Sequence, residues 1–473
     1  MAEEKKFSVI VVGAGPVGLT AAHALSRAGI DFTILEKRET IEEDIGATVI
    51  LMPHGIRVFA QLGLEEKLRA VGTDFKNAAF QTHTEGKVIN RTCMPQKFKD
   101  NFGTYALVFA RATFVSILYA SLPPSYQSRI LPNKRVTSIT TNPESKDPSK
   151  RVTVTCSDGT TYSATIIIGA DGIHSQARQA MHIKNPEPSA FQANYRVMWF
   201  AFPRPDGVPA TSGFESHGQD WACHCLNTGP VSFFLVYQRI PAHLNPPMTG
   251  YVKYTEEDIE SFAKECGNAP VGESGLRLRD VWDKKLRPAG MANLDEGVLK
   301  RWSCGGGKIV LAGDAAHKIT PNQGFGLNDG IIDIVGLTNE LRRALQETPA
   351  GDGSEDGSED GSEDGSEDGS GAPSEKALQE AFDRYQKLRE AWAIKNMQTS
   401  NFGIQLGTWK SKLLWRVVTG VLKIPGLDPL MIDKLYNPLF AESGLVFEFI
   451  EREEEPFVGK VPWKIAMPKT GKC

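Results

Sequence analysis

Residues 7–36 read FSVIVVGAGPVGLTAAHALSRAGIDFTILE, and this stretch decides how the chain begins to fold. Phe7 to Val12 is an apolar, β-branched run, the pattern of a strand buried on both faces. Gly13, Gly15 and Gly18 follow at the first, third and sixth positions of GAGPVG, and Leu19, Ala22 and Leu25 then recur at helical spacing. Phe32 to Leu35 supplies a second apolar strand that ends in Glu36. Strand, glycine turn, helix and strand together open a Rossmann-like parallel sheet. Gly13 makes the tight turn, Gly15 lets a pyrophosphate approach the backbone, and Gly18 lets the helix pack on the strand. Glu36, roughly 20 residues past the turn, can accept hydrogen bonds from a ribose. The context supports dinucleotide binding.

Two later stretches repeat the logic of a buried strand with a glycine-rich carboxyl end. Thr165 to Ile168 runs into Gly169-Ala170-Asp171-Gly172-Ile173-His174-Ser175, with Arg178 beyond it. Lys308 to Leu311 runs into LAGDAAHKITPNQGFGLNDG, residues 311–330. There Gly313 allows a sharp turn, and Asp314 sets a carboxylate at the strand end where open α/β sheets bind ligands. Gly324 and Gly326 then remove Cβ atoms just before the apolar run that starts at Leu327, so a flat ligand can approach N–H groups at a helix start. Several such strands imply one parallel sheet assembled from distant segments. Between them, Tyr195 to Phe202 (YRVMWFAF) and Val231 to Tyr237 (VSFFLVY) are rich in aromatics and predict a separate antiparallel sheet with one buried face.

Composition narrows the class. With 473 residues the chain can bury a large core, and its 41% hydrophobic and 23% charged residues are ordinary for a soluble globular protein. The formal charge of −4 hides a tract, residues 351–371, that repeats Gly-Ser-Glu-Asp and carries nine acids; without them the charge is +5. The tract cannot bury apolar surface and is expected to be a disordered loop. No basic stripe argues for nucleic acid. The seven cysteines are odd in number and widely spaced, and MAEEKKF has no apolar signal-peptide core, so a reducing, cytoplasmic setting is expected. Cys223-His224-Cys225 has no second ligand pair for zinc and reads as ordinary strand residues, so no metal is expected. Beyond the tract, Ser374 is placed to cap a helix through Phe382, Tyr385, Leu388 and Trp392. Trp409 to Lys423 mixes apolar residues with Lys410, Lys412, Arg416 and Lys423, which suits either a packed helix or one lying on a membrane surface.

Three of these segments carry a family resemblance. GAGPVG, GADGIHSQAR (169–178) and AGDAAHKITPNQGFGLNDG (312–330) are similar, in order and spacing, to the fingerprints of single-component FAD-dependent aromatic hydroxylases. Asp44 to Thr48 (DIGAT), Ala110-Arg111 and Leu294 to Val298 (LDEGV) narrow the likeness to fungal secondary-metabolite monooxygenases that epoxidise or hydroxylate prenylated indoles and meroterpenoids.

The resemblance implies an α/β fold with an FAD-binding Rossmann-like parallel sheet, an inserted antiparallel substrate sheet and a C-terminal helical region. On that view residues 1–185 and 286–345 build the FAD-binding domain, 186–285 the substrate domain, 346–373 the acidic loop and 374–473 the helical region. It further implies that Gly13, Gly15, Gly18 and Glu36 hold the adenosine and pyrophosphate of FAD, and that Arg111 reaches its phosphate or ribityl region. Ala47 and Ile50 would lie along the cofactor, Asp314 would contact its ribityl or phosphate side, and Leu327 and Asn328 would offer N–H groups to the flavin ring. Asp171-Gly172 would brace the loop between FAD and the reductant, NADPH or NADH, which has no domain of its own. His174 and His317, beside these motifs, are read as packing or supporting residues. For catalysis the resemblance points to Arg196 facing a small hydrophobic substrate, with Asp44 as its partner and Trp221 in the pocket wall, and to O2 as co-substrate. A dehydrogenase or reductase of the same fold, and a non-catalytic flavoprotein whose acidic loop recruits a partner, are the rival readings.

Overall fold

The opening strand sits at the centre of a five-stranded parallel sheet in the computed structural model, which describes residues 7–42, 48–82, 87–142, 145, 147–181, 190–304, 306–348, 372–424 and 426–469. The strand order is Ile309–Leu311, Ile166–Gly169, Ser8–Val12, Asp31–Leu35, Ile130–Leu131. Every pair is parallel, with Val9 opposite Ile166 on one side and Phe32 on the other. The apolar strands are buried because helices cover the sheet: Pro16–Ala28 packs on Phe325–Glu347, which packs in turn on the 33-residue helix Glu375–Gly407. Ser374 caps that last helix, its hydroxyl accepting the Ala377 N–H at 3.1 Å, an interaction typically worth about 1 kcal/mol. Tyr385 on the same helix donates to the Leu311 carbonyl, tying the C-terminal region to the edge strand of the sheet.

The aromatic runs form the middle of a second, eight-stranded sheet. Gln192–Pro203 pairs antiparallel with Val231–Arg239, which pairs with Trp221–Thr228, and that with Ser212–His217. This sheet reaches beyond residues 186–285. It recruits Gly290–Val298 and His317–Lys318 at one edge and Asn77–Thr82 and Val88–Thr92 at the other. The recruited strands are short or polar, so no aromatic alternation marks them in the sequence. The two sheets are therefore joined through the segment that follows Asp314.

After Gly407 the chain forms helices Lys412–Leu422 and Leu427–Ala441. Residues 442–469 then run without helix or strand and anchor helix Pro53–Gln61: Gln61 donates to the Phe447 and Ile450 carbonyls, and Arg57 pairs with Glu454. The acidic repeat, Asp44 and Ala47 lie outside the described residues. Among the described residues no helix is long and apolar enough to cross a membrane.

Candidate active site

A cleft of about 610 Å³ opens at the carboxyl ends of the parallel strands, lined by Val12, Leu35, Ala170 and Ala312. Ligands of open α/β sheets bind at this edge. The glycines there divide into two kinds. At Gly13 (φ +99°) a Cβ would stand 2.7 Å from the Ala170 carbonyl oxygen, and at Gly18 it would stand 1.9 Å from that of Gly13, so the fold itself requires both. Gly15 has an ordinary φ of −72°, and a Cβ there would meet only an Arg111 guanidinium nitrogen at 3.9 Å. Gly326, across the cleft, would bring a Cβ only to 3.7 Å from Asp314 Oδ1. The space those two Cβ atoms would fill belongs to the cleft, which is what a ligand pressed against the backbone demands.

The charges fit an anionic ligand. Lys37, Arg38, Arg111, Lys134 and Arg135 line the cleft. Arg111 begins helix Arg111–Ala120, and its guanidinium faces the Gly15 turn. Burial lowers its pKa and Arg38 adds to that, while Asp314 and Glu36 pull the other way. Glu36 is buried and oriented: Oε2 accepts the Ala14 N–H at 2.8 Å and Oε1 the Arg38 N–H at 3.0 Å. A carboxylate has about four acceptor sites, so capacity remains for hydroxyls. Asp171 Oδ2 accepts the N–H groups of Gln176 and Ala177 and fixes the glycine loop to the start of helix Gln176–Ala180. Asp314 pairs with Lys318, a residue the sequence reading did not single out.

Gly324 (φ +70°) turns the chain into helix Phe325–Glu347, whose first-turn N–H groups lack intrahelical acceptors. Leu327 borders the cleft in this first turn. Asn328 does different work: its side-chain amide donates to the Ile50 and Gly324 carbonyls at 2.9 and 2.8 Å, and its Oδ1 accepts the Met52 N–H at 2.9 Å. It locks strand Thr48–Leu51 to the helix start. Beneath lies a buried ionic network. Asp333 accepts the Gly313 N–H at 2.9 Å, His317 Nε2–H at 2.6 Å and Arg389 Nε–H at 2.9 Å, while Arg389 and Asn396 hold Asp329. Burial opposes charge on His317, but Asp333 outweighs it and holds the imidazole above its ordinary pKa of 6.5. His317 thus supports the Gly313 turn.

Val49, Asp314, Gly326 and Leu327 line both this cleft and a second cavity of about 370 Å³, so the two adjoin. The chamber lies between the eight-stranded sheet and the C-terminal helices. Its walls are apolar, with Ile50, Met52, Phe75, Phe98, Leu226, Leu235, Ile319, Phe402 and Met431 among them. Glu215, His217, His224 and Tyr237 face it from the sheet. No sequence motif marks these residues as a site. Their signal was strand parity: Glu215 and His217 are two apart, as are Leu235 and Tyr237, and each pair shares a face.

The same parity corrects the expectation for Arg196. Tyr195, Val197 and Trp199 cluster with Leu235 and Tyr237 on the chamber side of the sheet. Arg196 lies on the other side, where its Nε–H donates to Gln238 Oε1 at 2.7 Å and its guanidinium covers the Phe262 ring at 4.9 Å. It does not face the chamber. Trp221, Cys223 and Cys225 share that outer face, whereas His224 faces in. Burial pushes the Cys225 thiol up to about 12. Among the described residues no cluster of His, Cys, Asp and Glu is arranged to hold a metal.

Comparison with known proteins agrees with this geometry. The model of the FAD binding domain family matches residues 6–356. The FAD-dependent monooxygenase esdpE of Penicillium shearii is 31% identical over 366 residues, covering 74% of this chain and 72% of that protein. The FAD-dependent monooxygenase srdH of Neurospora crassa is 29% identical over 474 residues, covering 97% of this chain and 98% of that protein. Among solved structures, Klebsiella pneumoniae HpxO complexed with FAD and uric acid superposes with a TM-score of 0.67 at 17% identity, over 92% of this chain and 96% of that one. A salicylate hydroxylase substrate complex gives 0.65 at 18% identity, over 93% and 98%. The chain therefore belongs to the FAD binding domain family and groups within it with fungal FAD-dependent monooxygenases.

Proposed function

We propose that the protein uses NAD(P)H and O2 to epoxidise or hydroxylate a prenylated aromatic or terpenoid intermediate of secondary metabolism, acting in the cytoplasm. The observation that carries the reading is the junction of a cation-lined cleft with an apolar chamber through Asp314, Gly326 and Leu327. When bound, FAD would supply the redox chemistry, taking two electrons from the pyridine nucleotide so that one atom of dioxygen enters the substrate and the other leaves as water.

The chain's own residues bind, orient and exclude water. Gly15 admits the pyrophosphate to the start of helix Pro16–Ala28, whose N-terminus favours an anion, in a turn whose shape Gly13 and Gly18 allow. Arg111 is the fixed cation opposite that turn, and Glu36 takes the ribose hydroxyls. Asp314, steadied by Lys318, takes hydroxyls on the ribityl side. The Leu327 N–H, at a helix start, stabilises negative charge on the flavin ring. Ile50 would lie along the ring, and the Asn328 side chain holds Ile50 and Met52 in place. Apolar walls keep water from the reacting carbon.

Peripheral contact with a membrane surface forms the second part of the proposal. Leu413 and Val417 on helix Lys412–Leu422 are 74% and 55% exposed, next to Lys410, Lys412 and Arg416, a pattern suited to anionic lipid. Cosedimentation with vesicles of mixed neutral and anionic lipid is expected for the full chain and not for Leu413→Glu/Val417→Glu. Equal behaviour of the two would remove this part alone. For the main reading, purified protein should be yellow and should oxidise NADPH or NADH faster when a prenylated aromatic is supplied. Protein that takes up no FAD would overturn it.

A further inference from the structure

We propose that Glu215, held between His217 and His224, is the polar anchor of the chamber: it binds a hydroxyl at one end of an otherwise apolar substrate and so selects the carbon presented at the cofactor end. This rests on the monooxygenase reading and names the substrate feature that the site recognises.

A carboxylate inside an apolar chamber is costly unless something compensates it. His217 Nε2–H donates to Glu215 Oε1 at 2.9 Å, and His224 Nε2 stands 3.6 Å from Oε2. Burial would raise the carboxyl pKa, but the two imidazoles outweigh it and hold Glu215 below the usual carboxylate range. The group is thus an ionised acceptor that borders the cavity, with lone-pair capacity beyond the two histidines. Tyr237 backs His224 edge to face at 4.9 Å, so the imidazole is fixed from behind.

The anchor stands at a useful distance from the cofactor end. Helix Glu375–Gly407 passes both places: a Cβ on Gly403 would lie 2.7 Å from the Gln323 amide, and one on Gly407 would lie 3.4 Å from Glu215 Oε1. Those glycines are one helical turn apart, so Glu215 and the loop leading into Leu327 are separated by on the order of 10 Å. A substrate that spans the gap carries a hydroxyl at one end and an apolar body reaching past Ile319 to Leu327. A ketone or methyl ether at the same place offers no proton and sets an acceptor against the carboxylate's remaining lone pairs, the kind of mismatch that polar sites reject strongly.

The test titrates FAD-loaded full-length protein with a farnesyl-substituted phenol and with its O-methyl ether, following tryptophan fluorescence. Trp415 reports locally, its ring lying 6.1 Å from that of His217. Wild type should bind the phenol roughly 10- to 100-fold more tightly, the scale of one hydrogen bond to a charged group. Glu215→Gln should shrink the ratio to a few-fold and Glu215→Leu should abolish it, with ether affinity and bound FAD unchanged. If Glu215→Leu does not fold, Glu215→Gln decides alone. A wild type that shows no preference or binds neither probe, or a preference that survives in the variants, overturns the anchor. Loss of the monooxygenase reading would show separately, as normal probe discrimination in a protein that holds FAD but transfers no oxygen.

Discussion

Replacing Gly15 and Gly18 one at a time separates a glycine required by a ligand from one required by the fold. Gly15 has an ordinary φ, and its Cβ would approach no atom nearer than Arg111 at 3.9 Å. Gly15→Ala should therefore change the stability of the apoprotein by no more than about 1 kcal/mol, in the stabilising direction if at all, since alanine narrows the unfolded ensemble. Its methyl group would occupy the cleft and hold the pyrophosphate off the backbone. Losing one charge-assisted hydrogen bond costs about 1.5–3 kcal/mol, so FAD affinity should fall roughly 10- to 100-fold. Gly18→Ala behaves differently, because its Cβ would lie 1.9 Å from the Gly13 carbonyl. Helix Pro16–Ala28 must then move off the first strand, at a cost of about 1–3 kcal/mol to the apoprotein itself. Thermal unfolding of the apoproteins and flavin-fluorescence titration read the two effects separately. Gly15→Ala protein that is markedly destabilised, or that binds FAD like wild type, would refute the assignment of this turn.

Other outcomes follow from the same geometry. Asp314→Ala should weaken FAD binding by about 1.5–3 kcal/mol in an equilibrium titration, and a folded variant with wild-type affinity would contradict its role. Arg389→Met leaves Asp329 buried without its cation and Asp333 with His317 alone, so unfolding by denaturant should show a loss of about 3–5 kcal/mol. The network should also shape the pH dependence. Burial alone would raise the Asp333 pKa, but His317 and Arg389 carry it below its ordinary 3.8, so its stabilisation is present above that value and is lost as pH falls through the depressed one. His317 is shifted upward, so its stabilisation is full below pH 6.5 and is lost as pH rises through the raised value. A His317→Gln variant should lack the alkaline loss in a Tm-against-pH series. Replacing residues 353–369 with a short Gly-Ser linker should leave Tm and turnover nearly unchanged, since the tract's composition offers no apolar surface to bury and chain-closure entropy changes by only about 0.6 kcal/mol per halving of length. Lost turnover with FAD retained would instead give the acids a docking role.

Much of the cleft at the strand ends was legible because its determinants are local. The Gly13 and Gly313 turns each follow an apolar strand directly, and glycine spacing reports backbone geometry within one supersecondary unit. Ser374 was readable as a cap for the same reason. The chamber was not, because its walls combine a sheet face with helices far along the chain. Arg196 shows the difficulty. Its strand was readable, but a register shift lies between Ala193 and Tyr195, and only pairing with Gln238 reveals which face it takes. The ionic network joins Asp333 to Arg389 across 56 positions that include the acidic repeat, so no local pattern links them. Glu215 and His224 meet only because their strands pair in register.

The most direct test of the whole account is oxygen transfer itself. FAD-loaded protein would be supplied with NADPH, a farnesyl-substituted phenol or indole, and 18O2, and the product would be weighed by mass spectrometry. The product should be two mass units heavier than the one formed under 16O2, carrying a single oxygen atom from the gas. A product oxidised without label would make the protein a dehydrogenase of the same fold. Bound FAD with no product across a panel of prenylated aromatics and terpenoids would leave a flavoprotein without this activity, contradicting the central claim.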